Sequence, residues 1–327
     1  MKAAFYETQG PAHDVLKIGE VSKPTPGPDE VLVRISVSGI NPTDIKARTG
    51  FSAKMPYPRI IPHQDGAGVI EAVGGNVSSE RLGERVWLYE AQYGRATGTA
   101  AEFVAVPAHQ AVRLPDNISF ETGASLGIPA LTAHRCLFSD GDLKGCRALI
   151  HGGAGAVGTA AISLAKWAGA WVATTVSNAK QAEIARTRGA DLVLNRSTDD
   201  VARTILANTE NLGVDHIVDV ALKENFDTNL ACLSQGGVIS AYATSRATEE
   251  ISVPLLKAMT HGCVLRFVYI YNVPRELKQA SAADINACLE TGNYSPVIGL
   301  NLPLEQIADA HYAVEYSEVI GKVLVHL

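Results

Sequence analysis

Short strand-like runs dominate the first 120 residues. Val31-Leu32-Val33-Arg34-Ile35-Ser36-Val37 follows the turn-rich stretch Lys23-Pro24-Thr25-Pro26-Gly27-Pro28, and its β-branched residues favour a pleated strand. The segments 68–74, 85–89 and 102–106 repeat the theme, each bounded by Gly or Pro. Closely spaced strands of this kind predict a barrel or sandwich. From about residue 120 the period changes. Apolar runs at 148–150, 171–176, 191–194, 214–220 and 238–243 alternate with helical patterns at 156–168, 179–188, 199–208 and 226–233. That alternation predicts βαβ units and a parallel sheet covered on both faces. A strand-like run spans 264–271, helical patterns cover 276–289 and 304–316, and a last strand spans 322–327.

Composition narrows the functional classes. The 327 residues are 46% hydrophobic and 19% charged, which suits two packed domains and excludes wholesale disorder. Lys and Arg number 28 against 34 Asp and Glu, so a net charge of −6 offers no broad basic field to nucleic acid or an anionic membrane. Neither a signal-peptide core nor an 18-residue uncharged run is read, so no membrane partner is expected. The five cysteines, Cys136, Cys146, Cys232, Cys263 and Cys288, include no C-x-x-C pair. They disfavour a disulfide framework and a cysteine-rich zinc site, and a reduced cytoplasm is the expected location.

The chemistry-bearing motif is Gly152-Gly153-Ala154-Gly155-Ala156-Val157-Gly158. It contains G-x-G-x-x-G between an expected strand end at Ile150 and a helix opening near Val157, the context a dinucleotide fingerprint needs. Gly153 permits the tight turn, Gly155 lets backbone approach a pyrophosphate, and Gly158 allows close helix–strand packing. An NAD site places an acid about 20 residues on, at the end of the second strand. Here that strand ends Thr174-Thr175-Val176-Ser177-Asn178, with Lys180 after it and Arg196 after the third strand. A hydroxyl and two cations suit a 2′-phosphate, so NADP(H) is the expected cofactor, bound by Gly153–Gly158, Ser177, Lys180 and Arg196.

Several further segments carry a resemblance. Gly39-Ile40-Asn41-Pro42-Thr43-Asp44, Asp65 through Gly74, Gly127-Ile128-Pro129-Ala130-Leu131-Thr132-Ala133, the glycine loop and Gly321-Lys322-Val323-Leu324 occur in the order found in medium-chain dehydrogenases/reductases. The chain most resembles the zinc-independent quinone oxidoreductases of that superfamily. The resemblance implies a Rossmann domain at 121–291, inserted in a GroES-like barrel formed by 1–120 and completed by 292–327. It implies Thr132, Ala221, Tyr242, Thr244, Phe267 and Tyr269 as further cofactor contacts. It also implies a homodimer through the apolar run at 267–271, because so apolar an edge strand is a hazard if bare.

Zinc-dependent relatives carry a cysteine where this chain has Asn41 and a histidine where it has Gln64. Without a thiolate the pattern assembles no tetrahedral site, so no metal is expected, and His63 is read as a hydrogen-bonding loop residue. With no Lewis acid to make an alkoxide, the expected acceptors are quinones or enones. Asn41, Thr43 and Asp65 are the expected catalytic residues: Asn41 bonding substrate or cofactor, Thr43 delivering a proton, Asp65 an acid near the cleft. Phe51, Tyr93, Phe267 and Tyr269 are candidate pocket aromatics. An enoyl or alkenal reductase and a non-catalytic NADPH-binding sensor are the competing readings. Gly123-Ala124-Ser125-Leu126-Gly127 matches a hydrolase elbow, but no apolar strand precedes it and Ser119 reads as a helix cap.

Overall fold

Strands and helices follow the predicted change of period. The computed structural model describes residues 1–51 and 53–327, which divide into two compact units, 1–128 with 296–327, and 129–295. The first unit holds β1 (Lys2–Phe5), α1 (Ala12–Val15), β2 (Lys17–Glu20), β3 (Glu30–Ile40), α2 (Pro42–Thr49), β4 (Asp65–Val73), β5 (Arg85–Leu88), β6 (Phe103–Pro107), β7 (Ala111–Arg113) and α3 (Phe120–Ala124). The chain leaves it through α4 (Gly127–Leu137). The second unit runs β8 (Arg147–His151), α5 (Ala156–Trp167), β9 (Trp171–Val176), α6 (Ala179–Thr187), β10 (Leu192–Asn195), α7 (Val201–Asn208), β11 (Val214–Asp219), α8 (Leu222–Cys232), β12 (Leu233–Ala241), α9 (Leu255–His261), β13 (Val264–Phe267) and α10 (Arg275–Glu290). The first unit then closes with β14 (Ile298–Pro303), α11 (Ile307–Glu315) and β15 (Lys322–His326).

In the first unit the sheet order is β14-β15-β3-β4-β5-β7, with β6 also paired to β3. Strand β3 is its long spine. It pairs antiparallel with β15, β4 and β6, so the C-terminal strand is built into the N-terminal sheet. Its inward residues Val31, Val33 and Ile35 pack with Ile70, Val86, Leu88, Val104 and Val106. A second core joins Ala3, Phe5, Ile40 and Ile45 to Leu304, Ile307, Val323 and Val325.

In the second unit six parallel strands take the order β10-β9-β8-β11-β12-β13. Counted from β8, this is 3-2-1-4-5-6, the doubly wound arrangement whose direction reverses between β8 and β11. Parallel strands buried on both faces explain why Leu149, Ala173, Ile217 and Ile239 form one core with Ile205 and Leu230.

Several boundaries differ from the sequence reading. The run 264–271 is not one strand: β13 stops at Phe267, and a 3₁₀ turn at Ile270–Asn272 buries Ile270 and Tyr271. Burial of those two side chains overrides their strand propensity. Strand β12 begins at Leu233, not near residue 238. Val214 pairs with Leu233 and His216 with Val238, so the register shifts where Gly236 takes φ 74°. Helix α8 opens at Leu222, four residues before the apolar pattern declares itself at Phe226.

Candidate functional site

The glycine loop spans the turn from β8 into α5, next to the reversal of strand order. Gly152 sits at φ 72°, and both its N–H and that of Gly153 donate to the Thr175 carbonyl on β9. Packing alone explains two of the glycines. A methyl on Gly153 would lie 2.0 Å from Thr174 Oγ1, and one on Gly158 would lie 2.2 Å from the Gly152 carbonyl. Gly155 differs. A methyl there would meet only the Gly152 carbonyl, at 3.4 Å, so the fold itself tolerates a side chain. Gly155 is also the N-cap of α5 and supplies no capping side chain, so the first N–H groups of this 12-residue helix have no side-chain acceptor. Open space in front of uncapped helix N–H groups fits a phosphate.

Beneath the loop lies a polar network that the sequence reading missed. His151 bonds Thr175 Oγ1 at 3.0 Å and Asn229 Oδ1 at 2.8 Å, and Asn229 donates to Asp219. Asp219 in turn accepts the Ala221 N–H at 2.7 Å. The network ties the ends of β8, β9 and β11 to α8. Its only sequence signal is polar residues ending apolar runs.

The other expected cofactor contacts cluster by topology. Ser177, Arg196, Ala221, Tyr242, Thr244 and Phe267 stand at or just beyond the carboxyl ends of β9, β10, β11, β12 and β13, the side of a doubly wound sheet where ligands bind. Arg196 Nε donates to Ser177 Oγ at 2.8 Å, joining two of the three residues expected to hold a 2′-phosphate. Lys180 is exposed in the first turn of α6, which Asn178 caps by accepting from the Gln181 N–H. Thr132 is buried in α4, and Phe267 and Tyr269 are exposed.

A second polar cluster occupies one end of β15, β3 and β4. Asn41 ends β3 and caps α2, Asp65 begins β4 and Lys322 begins β15. Lys322 Nζ lies 2.7 Å from both Asn41 Oδ1 and Asp65 Oδ2, and Asn41 Nδ2 donates to Asp65 Oδ2 at 2.7 Å. Asp65 Oδ1 accepts the Ile128 N–H of α4 at 2.9 Å. Both Asp65 oxygens are thus engaged by protein donors. Asp44, in the first turn of α2, accepts the Asn41 N–H at 2.7 Å. Burial raises the Asp44 carboxyl to about 7, with the Asp65 charge adding to the rise. Thr43 is half-buried in the same turn. In the sequence Lys322 stands only as part of a resembling segment, with no role, because its partner Asn41 lies 281 residues away.

Both residues that stand where zinc-dependent relatives carry a ligand have protein partners. Asn41 is held as described, and the Gln64 amide exchanges hydrogen bonds with Gln92. Both His63 nitrogens are engaged, Nδ1 with Ser38 Oγ and Nε2 with His311 Nε2, each at 2.8 Å. Arg48 donates to His311 Nδ1 and pairs with Glu315. His63 holds a strained φ of 82° within this buried chain. Among the described residues, no group of three or more His, Cys, Asp or Glu is placed to hold a metal. Ser125 ends α3, and its hydroxyl donates to the Glu121 carbonyl as a helix residue does. Of the candidate aromatics in the first unit, Tyr93 is exposed, and the Phe51 ring lies under Lys46 Nζ at 4.6 Å.

Comparisons with known proteins bear on the family and the fold. An alcohol dehydrogenase GroES-like domain model matches residues 27–116, and a zinc-binding dehydrogenase model matches 156–284. Quinone oxidoreductases from Pongo abelii and Homo sapiens are each 32% identical over 325 residues, covering 98% of this chain and 96% of theirs. A mycobacterial protein solved in complex with NADPH superposes with a TM-score of 0.86 at 26% identity, covering 100% of both chains.

Proposed function

The chain belongs to the quinone oxidoreductase family of the medium-chain dehydrogenases/reductases, and from that premise we propose that it is an NADPH-dependent reductase of quinones that works without zinc. The observation that carries the reading is that the uncapped loop at Gly155 and the Ser177–Arg196 pair lie at the same carboxyl end of the parallel sheet. Gly153 to Gly158 would hold the pyrophosphate and Ser177, Lys180 and Arg196 the 2′-phosphate, where a carboxylate would repel it. Thr132, Ala221, Tyr242, Thr244, Phe267 and Tyr269 are proposed for the rest of the cofactor. NADPH, when bound, supplies the hydride. The remaining need is a proton, for which Thr43 is the proposed donor. The engagement of Asn41, Gln64 and His63 by protein partners supports a zinc-free reaction.

Charge reversal at the 2′-phosphate subsite tests the cofactor assignment. The double variant Lys180→Glu/Arg196→Glu should weaken NADPH about thirtyfold or more in a fluorescence titration, while NADH changes less than threefold. Equal losses for the two nucleotides would contradict the 2′-phosphate role.

We also propose a homodimer through β13 and α9. Strand β13 is the open edge of its sheet, and Phe267 on it is 70% exposed. Leu255, Leu256 and Met259 on α9 are exposed at 68%, 75% and 67%. So much apolar surface beside a bare edge supports a covering second copy. Sedimentation should give a dimer for the parent and a monomer for Leu256→Asp/Met259→Asp; a monomeric parent would contradict the assignment. All five cysteines are free, which suits the reducing cytoplasm proposed for this protein. Among the described residues no helix is long and apolar enough to cross a membrane.

A further inference from the structure

Lys322, Asp65 and Asn41 form a buried ionic clamp whose cost calls for a reason. The Lys322 side chain is 2% exposed and that of Asp65 is 0% exposed. A buried ion pair seldom adds stability over an apolar pair of the same volume, because both ions are taken out of water. What it does supply is orientation. With ammonium on one side and carboxylate on the other, the Asn41 amide has a single acceptable direction, Oδ1 towards Lys322 and Nδ2 towards Asp65. A flipped amide would face donor with donor and acceptor with acceptor.

The fold makes room for the clamp at two glycines. A methyl on Gly39 would lie 2.9 Å from Lys322 Cε, and one on Gly127 would lie 2.0 Å from Asp65 Oδ1. Register brings the three residues to one sheet end. Gly39 pairs with Asp65 on one side and Leu324 on the other, while Ile40 pairs with Val323. Through Asn41 the clamp fixes the start of α2, which carries Thr43. Through the Ile128 N–H it fixes the start of α4.

We propose that Lys322 is a positioning residue of the reaction: its ammonium sets the Asn41 amide and the Asp65 carboxylate, and through them the first turns of α2 and α4. This rests on the reductase reading above. It adds a residue contributed by the C-terminal strand. Lys322 moves no proton and touches no substrate in this assignment. It acts through Asn41 and Asp65.

The test compares the full-length parent with Lys322→Met and Lys322→Arg. Steady-state rates with NADPH and 1,4-benzoquinone are divided by the number of NADPH-binding sites, so unfolded protein does not count. Lys322→Met is expected to lose at least thirtyfold in kcat per site, with KM for the quinone within threefold. Lys322→Arg, which keeps the charge, should return to within fivefold of the parent. Hydrogen–deuterium exchange should show faster exchange over 41–49 in Lys322→Met, whatever the acceptor. A merely structural role would lower melting temperature but leave kcat per site unchanged, and a kcat within threefold of the parent overturns the proposal. If Lys322→Met yields no folded protein, Lys322→Arg decides, and a rate below one-thirtieth of the parent overturns it. If the parent itself turns over no quinone, the reductase reading fails. The exchange data then judge the clamp alone, and unchanged protection over 41–49 refutes it.

Discussion

Gly155→Ala should weaken NADPH binding about ten- to a hundredfold while leaving the melting temperature almost unmoved. The added methyl meets one protein atom, the Gly152 carbonyl at 3.4 Å, so the folded chain barely senses it. An alanine N-cap costs about 0.5–1 kcal/mol relative to better caps. The loss of glycine's freedom in the unfolded chain returns about 0.4–1 kcal/mol. A phosphate seated against the backbone has no such latitude. Overpacking by one methyl costs about 1–3 kcal/mol, which is the expected loss of affinity. Gly153→Ala is the contrasting control. Its methyl would sit 2.0 Å from Thr174 Oγ1, so it should lower melting temperature whether or not NADPH is present. Calorimetry and nucleotide titration on the two variants separate a ligand-imposed glycine from a fold-imposed one. Gly155→Ala binding NADPH within threefold of the parent would remove the loop from the site.

Acidification should destabilise the protein through the buried pair His63 and His311. Burial, with the Lys322 charge, lowers His63 to about 3, and burial with the neighbouring His63 and Arg48 holds His311 well below the usual histidine range. In the unfolded chain both titrate near 6.5, so below that pH the unfolded state binds more protons. Their contribution to stability is therefore complete above pH 6.5 and is lost as pH falls from there towards 3. His63 removes about 1.4 kcal/mol per pH unit across that window, and the lowered His311 acts in the same direction. Asp44 works in the opposite direction. Its folded value of about 7 stands above its unfolded value, so its contribution is present in acid and is lost as pH rises through 7. Between about pH 4 and 6.5 Asp44 offsets His63, and the lowered His311 leaves a net loss of stability in acid. Arg48, paired with Glu315, and Lys322, paired with Asp65, are the charges that act on the pair among the described residues. From pH 6.5 to 5 the melting temperature should therefore fall. His63→Gly removes one ring and places glycine at φ 82°. Its acid-induced fall should be shallower than the parent's. Equal falls would show that the pair carries no proton-linked stability.

How much of this was readable in sequence depends on the distance between partners. The glycine loop is local, and its strand-turn-helix context can be seen within 20 residues. That Ser177 and Arg196 lie side by side was legible because both follow neighbouring strand ends. Lys322 was not, because its partners are set by β15–β3 register across 281 residues. His63 reads as a hydrogen-bonding loop residue, yet its partner His311 lies 248 residues away on a helix whose apolar pattern gives no hint of a buried imidazole. Local periodicity also misled at 267–271. Alternating aromatic and β-branched residues read as one strand, and only the core that receives Ile270 and Tyr271 shows why the strand ends early.

The activity proposed for this scaffold is reduction of quinones with NADPH and without metal. The most direct measurement is steady-state NADPH oxidation by chelator-treated, metal-analysed protein, against a panel of 1,4-quinones, enals and simple aldehydes. The predicted result is turnover with quinones, unaffected by chelation, at least tenfold faster than with aldehydes and faster with NADPH than with NADH. Tight NADPH binding with no oxidation across the panel, or activity that follows stoichiometric zinc, would contradict it.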